Sequence, residues 1–390
     1  MSEKPRVLII GAGLGGLALA QGLRRGGVDV TVHERDASPD VRMQGYRLRL
    51  TPEGLDTLGR LLPPQLSELV WETSSSPSRA VFLGARRAEL STVDRNVAVN
   101  RLTLRQILLH GLDDVVSFGR ECTGYRTEGD GSVTALFADG SRETGAVLVG
   151  ADGVNSVVRR QYLPEARVMD TGVRILYGRF PLTPETAALI PEELFQLYAG
   201  VAGPGHQHVG IAPVHYRRPA KEALAELAPE LALTDTDDYV MCLFGARAEL
   251  LPYTDEELRA ATGRQLRDTA VAMTREWNPA VGALVELTDA ETVFPIFMRS
   301  SVPHPPWPTS AVTLLGDAIH AMSPAVGIGA NIALRDADTL AARLVEVADG
   351  AELIPALRAY ETAMIDYGFD AVRTSARFGG LRLGQAPLPA

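Results

Sequence analysis

A strand followed by a glycine-rich turn and a helix opens the chain, and no other feature constrains its fold as much. The stretch RVLIIGAGLGGLALA has a buried apolar run at Val7–Ile10 and a helical pattern over Leu14–Arg25. A second apolar run, Val28–His33, ends in Glu34 and Arg35. This order is typical of a βαβ unit with a GxGxxG turn. The sequence therefore predicts an α/β fold that contains a parallel sheet.

The spacing within this turn indicates a chemistry. Gly11 permits the tight turn, Gly13 lets the backbone approach a pyrophosphate, and Gly16 allows the helix to pack on the strand. The helix N-terminus faces the anion. Glu34 lies 18 residues beyond Gly16 and is placed to accept hydrogen bonds from the ribose hydroxyls of an adenosine. We interpret the pattern as a dinucleotide site; the alternative is a chance glycine turn with Glu34 in a surface ion pair.

Two later stretches each end an apolar strand in a carboxylate beside a glycine. VLVGADGVNSVVRR (147–160) contains Asp152 and Gly153, and LLGDAIHAMSPAVGIGAN (314–331) contains Gly316 and Asp317. A carboxylate at a strand end can accept hydrogen bonds from a polyol, and Gly316 has no Cβ to block the contact. A domain that binds NAD alone has no use for either stretch. We call Gly11–Gly16, Asp152–Gly153 and Gly316–Asp317 the first, second and third strand-end motifs.

With the three motifs in this order, nearly the whole chain resembles the FAD-dependent aromatic monooxygenases of the para-hydroxybenzoate hydroxylase type, which carry GxGxxG, DG and GD motifs. Its length and the stretch NRLTLRQILL (100–109) are most similar to the single-component tetracycline-inactivating and related enzymes. The resemblance implies an α/β fold with a Rossmann-like FAD-binding domain, a second, β-sheet-rich substrate domain and a C-terminal helix. It also implies non-covalent FAD, with NAD(P)H as a transient co-substrate.

The resemblance further implies residue roles. Arg101 is expected against the flavin and pyrophosphate, Asp317 on the ribityl hydroxyls, and Asp152 in the cofactor cleft where NAD(P)H approaches. A helix opened by residues 324–331 is expected to point its N-terminus at the isoalloxazine N1 and C2 carbonyl, where it stabilises the anionic reduced flavin. Ile328 replaces the glutamine usual in the family, so a side-chain contact is lost there. The expected cofactor-binding residues are Gly11, Ala12, Gly13, Leu14, Gly16, Glu34, Arg35, Arg42, Arg101, Asp152, Gly153, Gly316, Asp317, Pro324, Gly327, Gly329, Ala330 and Asn331.

Simpler interpretations exist for two of these residues. Arg101 could be a solvated arginine on a helix surface, and Asp152 could be only a turn residue before glycine. The catalytic residues are not identified by the sequence. Four polar side chains are candidates for facing the substrate, namely Tyr177, Arg179, His206 and His208. The two histidines lie two apart near a predicted strand, hence on one face, but no third ligand stands at usable spacing, so we expect no metal.

The domain bounds follow from the point where the pattern of predicted strands and helices changes along the chain. We expect the FAD-binding domain at 1–72, 98–168 and 294–348, the substrate domain at 73–97 and 169–293, and the C-terminal helix within 349–390. Val133–Phe137 and Ala146–Val149 flank Asp139-Gly140, which is a hairpin signal. Thr254 and Glu257 form a capping box for one long helix that reaches about Trp277, and a closing helix is expected over Glu352–Phe378.

The predicted function is an FAD-dependent monooxygenase. In that reading, NAD(P)H reduces the flavin, O2 adds at C4a, and the hydroperoxide transfers one oxygen to an aromatic or polyketide-like small molecule, possibly in secondary metabolism or antibiotic modification. The alternatives are an FAD oxidase or Baeyer-Villiger type oxygenase on the same fold, or a flavoprotein that sequesters a drug-like ligand without turnover.

Composition excludes several other classes. The net charge of −10 and the absence of a Lys/Arg cluster argue against nucleic-acid binding. The longest apolar runs are far shorter than the about 20 residues that a membrane helix needs, and the N-terminus has no secretory pattern. We therefore expect a cytoplasmic protein. Cys122 and Cys242 suggest neither a disulfide framework nor a metal site. The oligomeric state is open, and a monomer is compatible with the sequence.

Overall fold

Strands and helices alternate along the chain, and the computed structural model describes residues 5–39, 46–75, 80–83, 88–91 and 96–389. The strands are β1 (Val7–Ile10), β2 (Val30–His33), β3 (Arg47–Leu50), β4 (Ala80–Leu83), β5 (Ala88–Ser91), β6 (Val97–Asn100), β7 (Val116–Ser117), β8 (Cys122–Thr127), β9 (Val133–Phe137), β10 (Arg142–Gly145), β11 (Val147–Gly150), β12 (Val168–Pro181), β13 (Tyr198–Ala202), β14 (His208–Val214), β15 (Tyr239–Arg247), β16 (Phe294–Ser301) and β17 (Val312–Leu314).

The helices are α1 (Leu14–Arg25), α2 (Pro52–Leu61), α3 (Pro64–Glu72), α4 (Arg101–Leu109), α5 (Val157–Tyr162), α6 (Pro184–Ala187), α7 (Ala220–Leu227), α8 (Asp255–Ala260), α9 (Gly263–Thr274), α10 (Pro279–Glu286), α11 (Asp317–His320), α12 (Gly329–Ala348) and α13 (Leu353–Leu383). No helix of the described residues combines the length and apolar character needed to cross a bilayer.

The first layer is a parallel sheet with the strand order β17-β11-β1-β2-β7. Val7 pairs with Val147 on one side and with Val30 on the other. The central strands β1 and β11 are buried along their whole length because helices and a second small sheet cover both faces, as is usual for parallel sheets. Helices α1 and α12 pack against each other on this layer. The predicted α/β fold with a βαβ start is confirmed.

The second layer is a larger, mostly antiparallel sheet with the order β16-β12-β15-β14-β13-β4-β5. Along β12, Leu176 and Phe180 pack into an apolar core with α9 and α10. The opposite face holds Tyr177, Tyr198 and Tyr239 among apolar side chains. We call it the tyrosine face, and it contacts the first layer.

Helix α13 joins the two layers. Its Tyr360 and Met364 are buried in the core of the first layer, whereas Leu383 packs on the tyrosine face. Gly384 ends the helix in the left-handed conformation with φ 65°, a region that glycine adopts without strain. Beyond it, the backbone N–H of Ala386 donates to the carbonyl of Thr171.

Three element predictions are wrong in detail. β9 forms its hairpin with β10, not with the following apolar run, which as β11 enters the parallel sheet beside β1. The long helix after Thr254 is two helices, because Ala261 is extended and Thr262 begins a second capping box with Gln265. The closing helix continues to Leu383, five residues beyond its predicted end.

Candidate active site

The carboxyl ends of neighbouring strands bring the three strand-end motifs together. The parallel ladder continues past each strand: Gly11 N–H donates to His33 O at 2.8 Å, Ala151 N–H to Ile10 O at 2.8 Å, and Leu315 N–H to Gly150 O at 3.0 Å. A stretch near residue 11 thus lies beside stretches near 151 and 315. The edge of an open parallel sheet where strand order reverses is where α/β proteins bind ligands.

The glycines of the first motif have two different roles: two are required by the packing of the protein, and one leaves room for a ligand. A Cβ on Gly11, whose φ is 111°, would lie 2.4 Å from Ala151 O, and one on Gly16 would lie 2.1 Å from Gly11 O. Both positions therefore need glycine for the protein itself. A Cβ on Gly13 would meet nothing within 4 Å. Gly13 leaves open space at the start of α1, which fits a ligand that approaches the backbone closely.

Glu34 fixes this turn from the end of β2. Its Oε2 accepts from Ala12 N–H at 2.8 Å and its Oε1 from Asp36 N–H at 3.0 Å. Arg105 completes the arrangement: its Nε donates to Ala12 O at 3.0 Å and its Nη2 lies 3.7 Å from Glu34 Oε2. Arg101, which the motif predicts, lies on the same helix, whereas Arg105 was not predicted although the helical spacing of four residues was an available signal.

The second motif shapes a helix and retains a buried acceptor. Asp152 Oδ2 accepts from Val157 N–H at 2.6 Å at the start of α5. Asp152 Oδ1 is buried without a hydrogen-bond partner among the described residues. Burial raises the pKa of Asp152, against hydrogen bonds from Ser156 and Val157 that lower it. The interpretation of Asp152 as only a turn residue therefore accounts for Oδ2 but not for the buried Oδ1.

The third motif presents an exposed carboxylate on a buried support. Gly316 has φ 60°, and a Cβ there would lie 3.3 Å from Ala333 Cβ. Asp317 is exposed although its neighbours are buried. Burial lowers the pKa of Arg101, and the nearby Asp317 carboxylate opposes that shift. Arg101 and Asp317 are over two hundred residues apart in sequence, yet the fold brings them close enough for their charges to interact.

A buried network holds the third motif from beneath. Asp336 of α12 is fully buried, and its Oδ2 accepts from Gly316 N–H at 2.7 Å and lies 2.6 Å from His320 Nε2. Tyr367 donates its hydroxyl to Asp336 Oδ1 at 2.7 Å. Burial acts to lower the pKa of His320, but the Asp336 carboxylate outweighs it and the pKa is raised. Asp336 was not predicted, because the helical pattern alone does not distinguish it from a surface acid.

The loop after the third motif lies between the two layers. Pro324 is exposed, Gly327 has φ 68°, and α12 begins at Gly329 with no side-chain cap at Ile328. Gly329 and Ala330 thus form the uncapped first turn. Asn331 is occupied within the protein: its Oδ1 accepts from Thr51 N–H at 2.9 Å and its Nδ2 donates to Arg49 O at 2.9 Å.

Two candidate substrate-facing residues, Tyr177 and Arg179, lie on the tyrosine face of β12. Tyr177 packs near Phe294 and Tyr46, with ring centroids 5.8 and 5.7 Å away. Arg179 forms an ion pair with Asp235 at 2.6 Å and stacks over Tyr46 at 4.6 Å. Its charge is therefore neutralised by the protein.

The prediction that the two histidines share one face is wrong. His206 is exposed in a turn with φ 63°, outside the strand. His208 is buried at the start of β14 and lies over Gly245, and burial lowers its pKa to about 4. Within the described ranges, no group of three His, Cys, Asp or Glu could hold a metal ion.

Five further predicted positions complete the comparison. Ala12 and Leu14 are buried in the first turn. Gly153 has φ 72°, and a Cβ there would meet nothing within 4 Å. Arg35 is exposed. Arg42 lies outside the described residues.

Known proteins share this chain's sequence pattern. A family model described as FAD binding domain matches residues 4–175 and 253–375. The chain is 36% identical over 372 residues to a dual O-methyltransferase/FAD-dependent monooxygenase of Cercospora beticola, a match that covers 87% of this chain and 42% of that protein. It thus spans less than half of that relative's length. It is 31% identical over 375 residues to a 3-amino-4-hydroxybenzoate 2-monooxygenase of Streptomyces platensis, covering 92% and 84% of the two chains.

A solved structure shares the architecture. The crystal structure of a protein from Photorhabdus luminescens subsp. laumondii TTO1, described as an FAD containing monooxygenase, matches with a TM-score of 0.84 at 33% sequence identity. The match covers 97% of this chain and 99% of that chain. The likeness therefore includes both layers.

Proposed function

The chain belongs to the FAD binding domain family, and from that membership we propose that it is an FAD-dependent monooxygenase. It uses NAD(P)H and O2 to hydroxylate an aromatic or polyketide-like small molecule. The observation that carries the proposal is the joining of three strand-end motifs at one sheet edge, with the loop 324–331 between that edge and the tyrosine face. One extended cofactor can contact all of them.

The described residues fit FAD in the order that the motifs dictate. The open backbone at Gly13 suits the pyrophosphate, because a helix N-terminus favours an anion. Glu34 suits the adenosine ribose, and the exposed Asp317 suits the ribityl hydroxyls. The uncapped first turn of α12 suits the negative charge of the reduced ring.

The chemistry that FAD supplies when bound is the acceptance of a hydride and the activation of O2. The protein's part is to bind, orient and exclude water. The tyrosine face and the loop 324–331 enclose the substrate region, and Arg101 balances the charge of Asp317 at its edge. The substrate and the transiently docked NAD(P)H then approach from the open side of the cleft.

We also propose the domain bounds expected from the sequence, with the cofactor domain at 1–72, 98–168 and 294–348 and the substrate domain at 73–97 and 169–293. The separate apolar cores of the two layers support this division. The residues 349–390 support both domains through α13. Because the reaction draws on NAD(P)H, we propose a cytoplasmic location.

The proposal is tested by isotope transfer. Purified protein is expected to be yellow and to release free FAD on heating. With NAD(P)H and a substrate found by screening NAD(P)H oxidation, one atom of 18O from 18O2 is expected in the product. Label that arrives only from H2 18O would contradict oxygenation, and oxidation of substrate with release of peroxide alone would indicate an oxidase.

A further inference from the structure

Helix α4 has two faces with different partners. Arg105 lies on one face, and its Nε donates to Ala12 O in the first strand-end motif at 3.0 Å. Helical spacing places Thr103 and Gln106 on the opposite face, and Asn100 is the N-cap. Asn100, Thr103 and Gln106 are all buried. Buried polar side chains require hydrogen-bond partners, so another part of the protein must match this second face.

The matching part is residues 228–238, which we call the connecting segment. It runs from α7, which packs against α3, to β15 of the second layer. Gln106 Nε2 donates to Thr234 Oγ1 at 2.9 Å, and Thr234 N–H donates to Gln106 Oε1 at 3.3 Å. The hydroxyl of Thr103 donates to the carbonyl of Asp235 at 3.3 Å. The connecting segment therefore holds α4 at two successive turns.

The Asp235 carboxylate joins α4 to the second layer. Its Oδ2 accepts from Asn100 Nδ2 at 2.8 Å and from Arg179 Nη1 of β12 at 2.6 Å. Asn100 Oδ1 accepts from the backbone N–H groups of Leu102 and Thr103 at 2.8 and 3.1 Å, so its Nδ2 needs a separate acceptor. One carboxylate oxygen thus connects the start of α4 with a strand of the second layer.

Resting on the proposed function, we propose that Asp235 is a positioning residue for the cofactor. By fixing the Asn100 amide and the start of α4, it places Arg105 against the first strand-end motif, where the pyrophosphate is proposed to bind. Neutralisation of Arg179 alone would not require the bond to Asn100. Because one oxygen serves both partners, the second layer contributes to FAD affinity through α4.

The test exchanges the two partners. Asn100→Asp keeps an oxygen that caps α4 but places a carboxylate against Asp235, so FAD affinity should fall roughly five- to thirtyfold. In the double variant Asn100→Asp with Asp235→Asn, the new amide can donate to the new carboxylate and still offer its oxygen to Arg179. Its Kd should return to within about threefold of wild type. Titration of full-length apoprotein with FAD, followed by flavin fluorescence, measures each Kd.

Two further variants separate positioning from stability. Asp238, also in the connecting segment, accepts from Tyr216 N–H at 3.0 Å and pairs with His215, and neither partner belongs to α4. Asp238→Ala should therefore lower the Tm of the apoprotein and leave the Kd for FAD unchanged. Asp235→Ala should lower the Tm and also weaken FAD binding roughly five- to thirtyfold, and it provides the test if Asn100→Asp does not fold.

The outcomes separate this inference from the proposed function. An unchanged Kd in Asn100→Asp or Asp235→Ala, a folded double variant that does not regain affinity, or equal weakening by Asp238→Ala would overturn the inference alone. Wild-type protein that takes up no FAD would overturn the proposed function and the inference with it. Affinities in the expected order without oxygen transfer would uphold the inference and contradict the monooxygenase proposal.

Discussion

Glu34 lies at the end of β2, and each of its carboxylate oxygens accepts a backbone N–H, from Ala12 and Asp36. A carboxylate oxygen has more than one acceptor site, so the same group can order the turn and accept from a ribose hydroxyl. Its role therefore includes preparing the turn for its ligand.

The exchange Glu34→Gln tests this role at the residue scale. The variant keeps the size of the side chain but loses its charge, so FAD binding should weaken by about 1–3 kcal/mol, roughly five- to one-hundred-and-fifty-fold in Kd. Titration of apoprotein with FAD, followed by flavin fluorescence, measures the change. Glu346→Gln, in an exposed pair with Arg343, is the matched control. An unchanged Kd in Glu34→Gln would mean that the carboxylate does not contact the cofactor.

The residues that sequence reasoning found and missed differ in a physical way. Gly11 and Gly16 belong to a motif whose backbone geometry dictates the residue type, so spacing alone identifies them. Asp235 lies in a run of acids and threonines, a pattern that normally indicates a solvated loop. Only the tertiary placement of that segment between α4 and β12 brings its carboxylate to Asn100 and Arg179.

At the scale of elements, the turn between β1 and α1 allows a paired test. Gly16→Ala would place a Cβ 2.1 Å from the backbone oxygen of Gly11, so the fold must distort. Gly13→Ala meets no protein atom, and Gly13 has φ −76°, which alanine adopts freely.

We expect Gly16→Ala to lower the Tm of the apoprotein by several degrees, since overpacking costs about 1–3 kcal/mol. Gly13→Ala should keep the Tm of the apoprotein and lose most of its FAD affinity. Calorimetry of apoprotein and titration with FAD measure the two effects. Tight FAD binding by Gly13→Ala would show that the pyrophosphate lies elsewhere.

The buried pair between α11 and α12 predicts a dependence of stability on pH. The pKa of His320 is raised in the folded protein above its unfolded value of about 6.5. The stabilisation from the His320–Asp336 pair is then complete below about pH 6.5 and is lost as the pH rises through the folded pKa. Asp336→Asn removes the charge that holds His320 protonated.

The Tm difference between wild type and Asp336→Asn should be largest below about pH 6.5 and should shrink as the pH rises through the folded pKa of His320. At low pH the loss is expected to reach about 3–5 kcal/mol, as for a broken buried pair. Asp338→Asn, on the same helix in a more exposed pair with Arg60, should cost about 0–1 kcal/mol. A Tm difference independent of pH would mean that His320 is neutral in the fold.

Element prediction failed where local pattern and tertiary pairing disagree. The runs before and after residue 146 are both extended, and nothing in their composition shows that one joins an antiparallel hairpin and the other a parallel sheet. The break at Ala261 was missed because a second capping box, Thr262 with Gln265, interrupts a pattern that otherwise suits one helix. By contrast, α1 was predicted to the residue because glycine, apolar spacing and terminal arginines agree there.

At the scale of the whole molecule, FAD is expected to stabilise both layers together. The proposed cofactor lies at the sheet edge between the two layers. Its binding free energy therefore adds to the free energy of unfolding of each layer. At about one hundred times Kd the contribution is about 2.7 kcal/mol, which should raise the Tm by several degrees.

Calorimetry with tryptophan fluorescence can check this coupling. Trp277 lies near Phe244 in the second layer, and Trp307 near Tyr162 in the first. Because the chain also contains Trp71, each probe is best read in a protein where the other two tryptophans are replaced by phenylalanine. Both probes should report the same FAD-dependent rise, and Gly13→Ala should show a much smaller one. A rise confined to Trp307 would mean that the second layer unfolds independently of the cofactor.

The end of α13 has a consequence for biosynthesis. Arg382 donates to Ala325 O at 3.1 Å, Leu383 covers part of the tyrosine face, and Arg247 donates to Gly384 O at 2.8 Å. These contacts use residues that leave the ribosome after both sheets have been synthesised. A nascent chain must therefore keep part of its tyrosine face uncovered until residues 382–384 emerge from the ribosome. A chain that stalls before residue 382 leaves that part of the face uncovered.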